Sequence, residues 1–244
     1  MNKIINILKD KKSIPLDQFI NISLYDKKFG YYMTKNPIGE RGDFITAPFC
    51  HRCAVPLTVA SAEETHCAHC LLDPPFYEQT RAVFSYSAPV KRLVLRFKNA
   101  QMTALTRFMG HYMAQNASEL IESCDFIVPV PLHAERLKAR GFNQATLLAY
   151  ELARSHRHKV APFLLARKKK TSSKAGLSAE ARRKNVENAF EITRPKKDFF
   201  IQNKKILLVD DVMTTGATLN ACAQALCAAG ASQVNVVVFS RAVR

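Results

Sequence analysis

Apolar and polar positions along this chain follow two periods, and the switch between them outlines its elements. Residues 82–88 form a β-branched and aromatic run of strand length, and 90–97 follow with apolar residues at helical spacing. Residues 105–122 have the period of one amphipathic helix, 126–131 that of a short buried strand running into a loop, and 142–156 that of another helix. Two mainly apolar runs, 206–209 and 234–240, read as buried strands, with a helix at 219–228 between them. Strands alternating with helices predict an α/β fold, a doubly wound and mainly parallel sheet flanked by helices.

One junction in this pattern carries chemistry. The strand at 206–209 ends in Asp210 and Asp211. After Val212 and Met213, the turn Thr214, Thr215, Gly216, Ala217, Thr218 opens the next helix. Ligands of parallel sheets bind beyond the carboxyl ends of the strands, and free N–H groups at a helix N-terminus attract anions. Paired carboxylates accept hydrogen bonds from sugar hydroxyls, and the turn offers main-chain and hydroxyl donors to a phosphate. A sugar phosphate satisfies both. The competing reading, an acidic loop of purely structural use, gives two adjacent acids no packing role.

The run 206–218 resembles the phosphoribosyl pyrophosphate (PRPP) signature of the type I phosphoribosyltransferases at all thirteen of its positions. That resemblance implies that Asp210 and Asp211 hold the ribose hydroxyls, as the catalytic pair if transfer occurs. It implies that the remaining residues from Val212 to Thr218 complete the PRPP site, with the 5-phosphate on the turn. In such enzymes an acceptor nitrogen displaces pyrophosphate, which arrives with Mg²⁺. No residue stands out as a general base for a particular nucleobase, so transferase activity stays open.

The cysteines add a second centre. Cys50-x-x-Cys53 and Cys67-x-x-Cys70 are separated by thirteen residues, the spacing of a tetrahedral structural Zn²⁺ site built from two knuckles on a short ribbon. Disulfides are the competing reading, and a cytoplasmic setting argues against them. Cys124, Cys222 and Cys227 lie in apolar surroundings and read as buried packing residues.

Charge changes the picture further. The formal net charge is +16, and residues 154–198 supply +10 of it, with fourteen Lys/Arg against four acids. Such an excess favours polyanions, either nucleic acid or a pyrophosphate; a solvated basic loop is the bland alternative. At the end of the 126–131 strand, Pro131, Leu132, Arg136 and Arg140 form a second polar group. Their arginines suit a pyrophosphate because the guanidinium donates bidentately.

The RGFNQ run 140–144, with Leu177, Arg182, Asn185, Ala189 and Phe190 as an L-x4-R-x2-N-x3-AF pattern, resembles the bacterial competence protein F (ComF) family over residues 50–244. One departure is Lys174, where that family pattern leads us to expect Gln. The resemblance implies a cysteine module ahead of a phosphoribosyltransferase-like domain. It also implies a part in natural transformation and DNA uptake, with single-stranded DNA and the competence machinery as partners, or a phosphoribosyl transfer to an unnamed acceptor. A basic, zinc-containing DNA-binding module without transferase activity is the alternative, with aromatic residues such as Phe142 stacking on bases or packing in the core. A non-functional gene-fusion product is a further one.

Residues 14–48, with LYD, GYY and GDFITAP, resemble instead the opening of MidA-type S-adenosylmethionine-dependent methyltransferases. The Gly-rich strand–turn–helix that would hold that cofactor does not follow, and fewer than fifty residues cannot build a Rossmann core, so no methyltransferase activity is expected. The expected organisation is therefore a foreign, truncated segment at 1–48, a zinc-ribbon module at 49–78 and the phosphoribosyltransferase-like domain at 79–244. With no apolar run of membrane-span length and no signal-peptide pattern at the start, the expected location is the cytoplasm.

Overall fold

The computed structural model describes residues 49–57, 65–98, 105–169, 179–193 and 200–242, all within the second of two units, Ala47–Arg244. The expectations placed on residues 1–48 and on Lys174 and Leu177 lie outside the described residues. Four parallel strands form the sheet: β1 (Gln79–Ser85), β2 (Phe126–Pro129), β5 (Lys205–Met213) and β6 (Gln233–Arg241), in the spatial order β1-β6-β5-β2. β6 is buried along eight of its nine residues, which explains its mainly apolar run, interrupted by the buried Asn235, between two covered faces. β2 lies outermost and tolerates Pro129, which has no N–H to give to the ladder. A separate antiparallel pair, β3 (Leu165–Arg167) and β4 (Phe190–Ile192), stands apart from the sheet.

Helices cover the sheet. α3 (Leu105–Asn116) and α6 (Gln144–Leu152) pack on each other and on its strands, and α8 (Ala217–Ala228) packs on β5 and β6 beside β4 and α7 (Ala179–Val186). The core under α3 is aromatic. Phe239 lies 5.0 Å from Phe84 and 6.4 Å from Phe108, ring centre to ring centre.

Several boundaries differ from the sequence pattern. The single helix expected at 105–122 is two, α3 and α4 (Ser118–Ser123), broken at Ala117. Ala117 is 1% exposed, so the break keeps its methyl in the core while the chain turns. The loop expected to carry Arg136 and Arg140 is a short helix, α5 (Ala134–Arg140), stopped by Gly141 at φ +80°, where a left-handed residue is needed. β5 continues past Val209 through both acids to Met213, because β6 still pairs with it there, Met213 opposite Arg241. Cys124 and Cys222 are buried as expected, but Cys227 is half-exposed on α8, its thiol 3.6 Å from the Phe76 carbonyl.

α3 and α6 approach closely at Gly110, where a methyl would lie 2.5 Å from Glu151 Cγ and 2.7 Å from its Cβ. Gly110→Ala is therefore expected to destabilise the fold by about 1–3 kcal/mol. A fall in the urea midpoint at unchanged slope would show it.

Candidate functional site: an acid pair, a phosphate-shaped turn and a four-cysteine centre

The parallel pairing of β2 with β5, Pro129 opposite Val209, brings the ends of these two strands side by side. The segment beginning at Val130 and the acids beginning at Asp210 thus leave the sheet together, on the edge where parallel sheets bind ligands. Each residue of the RGFNQ run has a visible task there. Gly141 ends α5. Phe142 packs 6.2 Å from Phe97 and is half-buried, so it serves the core. Asn143 caps α6 by accepting from the Ala145 N–H at 3.0 Å, while its Nδ2 donates to the Val130 carbonyl at 3.1 Å. That one side chain pins the strand end to the helix start. Gln144 is buried and donates from Nε2 to Asp211 Oδ2 at 3.4 Å; its Oε1 has no donor among the described residues.

Asp211 is 3% exposed. Lys98, the last residue of α2 (Ala88–Lys98), places Nζ 3.1 Å from Asp211 Oδ1. Asp210 accepts the Asp211 N–H at 2.8 Å. Burial, and next the Asp211 carboxylate, push the Asp210 carboxyl up to about 7, against the pull of Lys98. Arg140 and Arg167 lie near enough to the pair to feel its charge, and Arg136 lies near both of them. Arg140 feels Asp211, Arg136 and Asp210, and burial pulls its guanidinium down. Arg167, also pulled down by burial, feels Arg136 and Asp210 and stacks 5.3 Å above the Phe190 ring. The structure thus gathers Asp210, Asp211, Arg136 and Arg140, all expected from the sequence, and adds Lys98, Gln144 and Arg167. Of these, only Gln144 stood in a motif that could have flagged it.

The turn after β5 is shaped by Gly216, at φ +80°, where a methyl would strike Met213 Cε at 2.8 Å and the Tyr77 hydroxyl at 3.0 Å. α8 starts directly after it, with the Ala217 N–H 3.4 Å from Thr215 Oγ1. A cavity of about 420 Å³ adjoins this turn, walled by Thr215, Gly216, Ala217 and Asn220 on one side and by Tyr77, His69, Cys53 and Cys70 on the other.

The four sulfurs of Cys50, Cys53, Cys67 and Cys70 lie within 4.8 Å of one another. Cys53 and Cys67 Sγ are 3.7 Å apart, against about 3.8 Å for the edge of a Zn–S₄ tetrahedron with ~2.3 Å bonds. The Cys67 N–H points at Cys50 Sγ, 3.3 Å away. Hydrogen bonds with Cys53 and Cys70 drive the Cys50 thiol far down, while those with Cys50 and Cys53 drive Cys70 far up. Thiols this close share protons unless a cation replaces them, so the donor set fits zinc. The first knuckle turns through Ala54 at φ +54°. The second is not a plain ribbon, because Cys67 caps and Cys70 sits within a short helix, α1 (Ala68–Leu72).

The parallel sheet is flanked by helices, and the phosphoribosyl transferase domain family matches residues 137–242, so the chain is of the phosphoribosyltransferase-like class. Competence protein F of Haemophilus influenzae is 30% identical over 231 residues, covering 92% of this chain and 99% of that protein. DNA utilization protein YhgH of Salmonella typhimurium is 31% identical over 197 residues, covering 79% of this chain and 83% of that one. This chain belongs to the competence protein F family. Among solved structures it is similar to a purine phosphoribosyltransferase from Pyrococcus horikoshii, 14% identical over 55% of this chain and 80% of that one, with a TM-score of 0.34.

Two outcomes follow from the geometry. The purified protein is expected to carry about one zinc per chain by elemental analysis, and Cys70→Ala to lose it and melt about 10 °C lower. Asp210 binds a proton more tightly folded than unfolded, so its contribution to stability falls as pH rises from about 4 to about 7 and is level above. Asp210→Asn should remove that slope and be the more stable protein at pH 8, as thermal melts across this range would show.

Proposed function

We propose that this protein binds PRPP in the cytoplasm. Asp210 and Asp211 take the ribose hydroxyls, and Thr214, Thr215, Gly216, Ala217 and Thr218 take the 5-phosphate. The residues from Pro131 and Leu132 to Arg136 and Arg140 face the pyrophosphate. The observation that carries this reading is the set of cations and amide on the acid pair: Lys98 and Gln144 on the buried Asp211, with Arg140 near enough to feel both acids. A sugar hydroxyl entering there finds carboxylate acceptors, beside Gln144, whose buried Oε1 has no donor among the described residues. Negative charge on a pyrophosphate meets the arginines of α5.

Mg²⁺ would come bound to the pyrophosphate and neutralise part of its charge. In a transfer, the bond from the anomeric carbon to pyrophosphate breaks as the acceptor's nitrogen bonds to that carbon. This chain contributes positioning and charge stabilisation of the departing pyrophosphate through Arg136 and Arg140. Asp210 and Asp211 stabilise the positive charge that develops on the ribose. The names of the relatives support a place for this chemistry in DNA uptake.

A second reading has its own support. The basic stretch exposes Arg154 and Lys168, held by exposed ion pairs to Glu151 and Glu191 that a phosphate would have to displace, and Phe163, between them in sequence, is 83% exposed and open to base stacking.

Calorimetric titration with PRPP and Mg²⁺ separates the two. Saturable binding that weakens at least about 100-fold in Asp210→Ala/Asp211→Ala, the loss of two or more charged hydrogen bonds, supports the nucleotide site. No binding by folded, zinc-loaded protein, together with DNA binding that weakens steeply with salt, would replace it with the second reading.

A further inference from the structure

Arg241 is the last residue of β6 and only 8% exposed. Taking a guanidinium out of water costs several kcal/mol unless its donors are satisfied. Its partners among the described residues are backbone carbonyls, and they come from two separate parts of the molecule. Nε donates to the Cys53 carbonyl at 2.8 Å. Nη1 donates to the Met213 carbonyl at 3.3 Å, to the Ala242 carbonyl at 2.6 Å and to the Thr214 carbonyl. Cys53 is one of the four clustered cysteines, and Thr214 opens the phosphate-shaped turn.

One rigid, planar fork therefore spans the distance between the metal centre and the turn. Its charge also has a reason to be there. Four thiolates around one Zn²⁺ carry a net charge of about −2, and Arg241 offsets part of it through the carbonyl of a ligand residue. The cavity beside the turn has walls from both parts, and Tyr77, 3% exposed, reaches from the cysteine side to within touching distance of Gly216.

We propose that Arg241 is a positioning residue that couples metal loading at the four cysteines to the shape of the phosphate turn. This rests on the reading of Thr214, Thr215, Gly216, Ala217 and Thr218 as the phosphate site. When zinc holds the Cys53 turn, the Cys53 carbonyl anchors the guanidinium, which in turn fixes the Met213 and Thr214 carbonyls and aims the N–H groups that follow. Thermodynamic coupling is reciprocal, so a phosphate ligand on the turn must tighten the metal centre.

The test compares zinc-loaded wild type, Arg241→Met and Arg241→Lys. Lysine keeps the charge but loses the fork. The readouts are zinc content, amide exchange at residues 214–218 relative to 206–209, and the rate at which a chromogenic chelator extracts zinc with and without Mg²⁺ and PRPP. Both variants should keep their zinc, exchange at 214–218 about tenfold faster than wild type, and lose the slowing of zinc extraction that PRPP produces in wild type. A role confined to satisfying stray carbonyls would lower overall stability without removing that reciprocal slowing.

Wild-type exchange at 214–218 that is unchanged in the variants and unchanged on zinc removal overturns the proposal. Should PRPP fail to bind wild type, the function proposed above falls, while the exchange comparison still decides the role of Arg241. Should Arg241→Met not fold, Arg241→Lys and the zinc-free wild type are read in the same way.

Discussion

The pairing of β5 with β2 on one side and β6 on the other is the constraint on which the rest of the molecule depends. A parallel ladder leaves no freedom in where a strand's end emerges, so fixing Val209 opposite Pro129 also fixes the acids opposite the segment that starts at Val130. On the other side, Met213 opposite Arg241 carries the pairing past the acids and delivers the turn to the start of α8. Asn143 then ties the Val130 carbonyl to α6, which brings Gln144 onto Asp211. The site is a consequence of strand register, sharpened by a single helix cap.

That placement works against stability. Two carboxylates at adjacent positions in a largely buried strand end repel each other and have lost much of their hydration, and Lys98 and Gln144 recover only part of what is missing. Such a pair is a poor choice for a purely structural strand end. It is a reasonable one for a surface that a polar ligand completes, because the ligand's hydroxyls restore the hydrogen bonds that burial removed.

The strands and the helix after the phosphate-shaped turn were legible because each is a run of uniform period. Asp210, Asp211 and the turn were legible for the same reason: they interrupt such a run with residues that packing does not want. Arg136 and Arg140 were found, although their helix was not. Nine residues between a proline and a glycine, seven of them helical and none buried, leave no apolar stripe to read. Lys98, Arg167 and Arg241 escaped because each sits at the end of an element with ordinary composition, and only tertiary structure brings it to its partner. The split at Ala117 escaped because a buried alanine fits the helical period equally well whether the helix continues or turns. The cysteine spacing foretold the cluster but not the helix that begins at its second pair, since the geometry of four sulfurs constrains the backbone only locally.

The order of strands in the sheet has a consequence for biosynthesis. β6 lies between β1 and β5, yet it is the last of the described elements to leave the ribosome, and its partner in β1 precedes it by roughly 150 residues, Gln79 opposite Asn235. Until β6 emerges, β1 has no neighbour in the sheet and β5 has only β2, so their apolar edges wait unpaired. The four cysteines, by contrast, span about twenty residues and can close on a metal as soon as Cys70 is out. The nascent chain therefore gains its first fixed point at the knuckles, long before the strand that will join them to the turn after β5 exists.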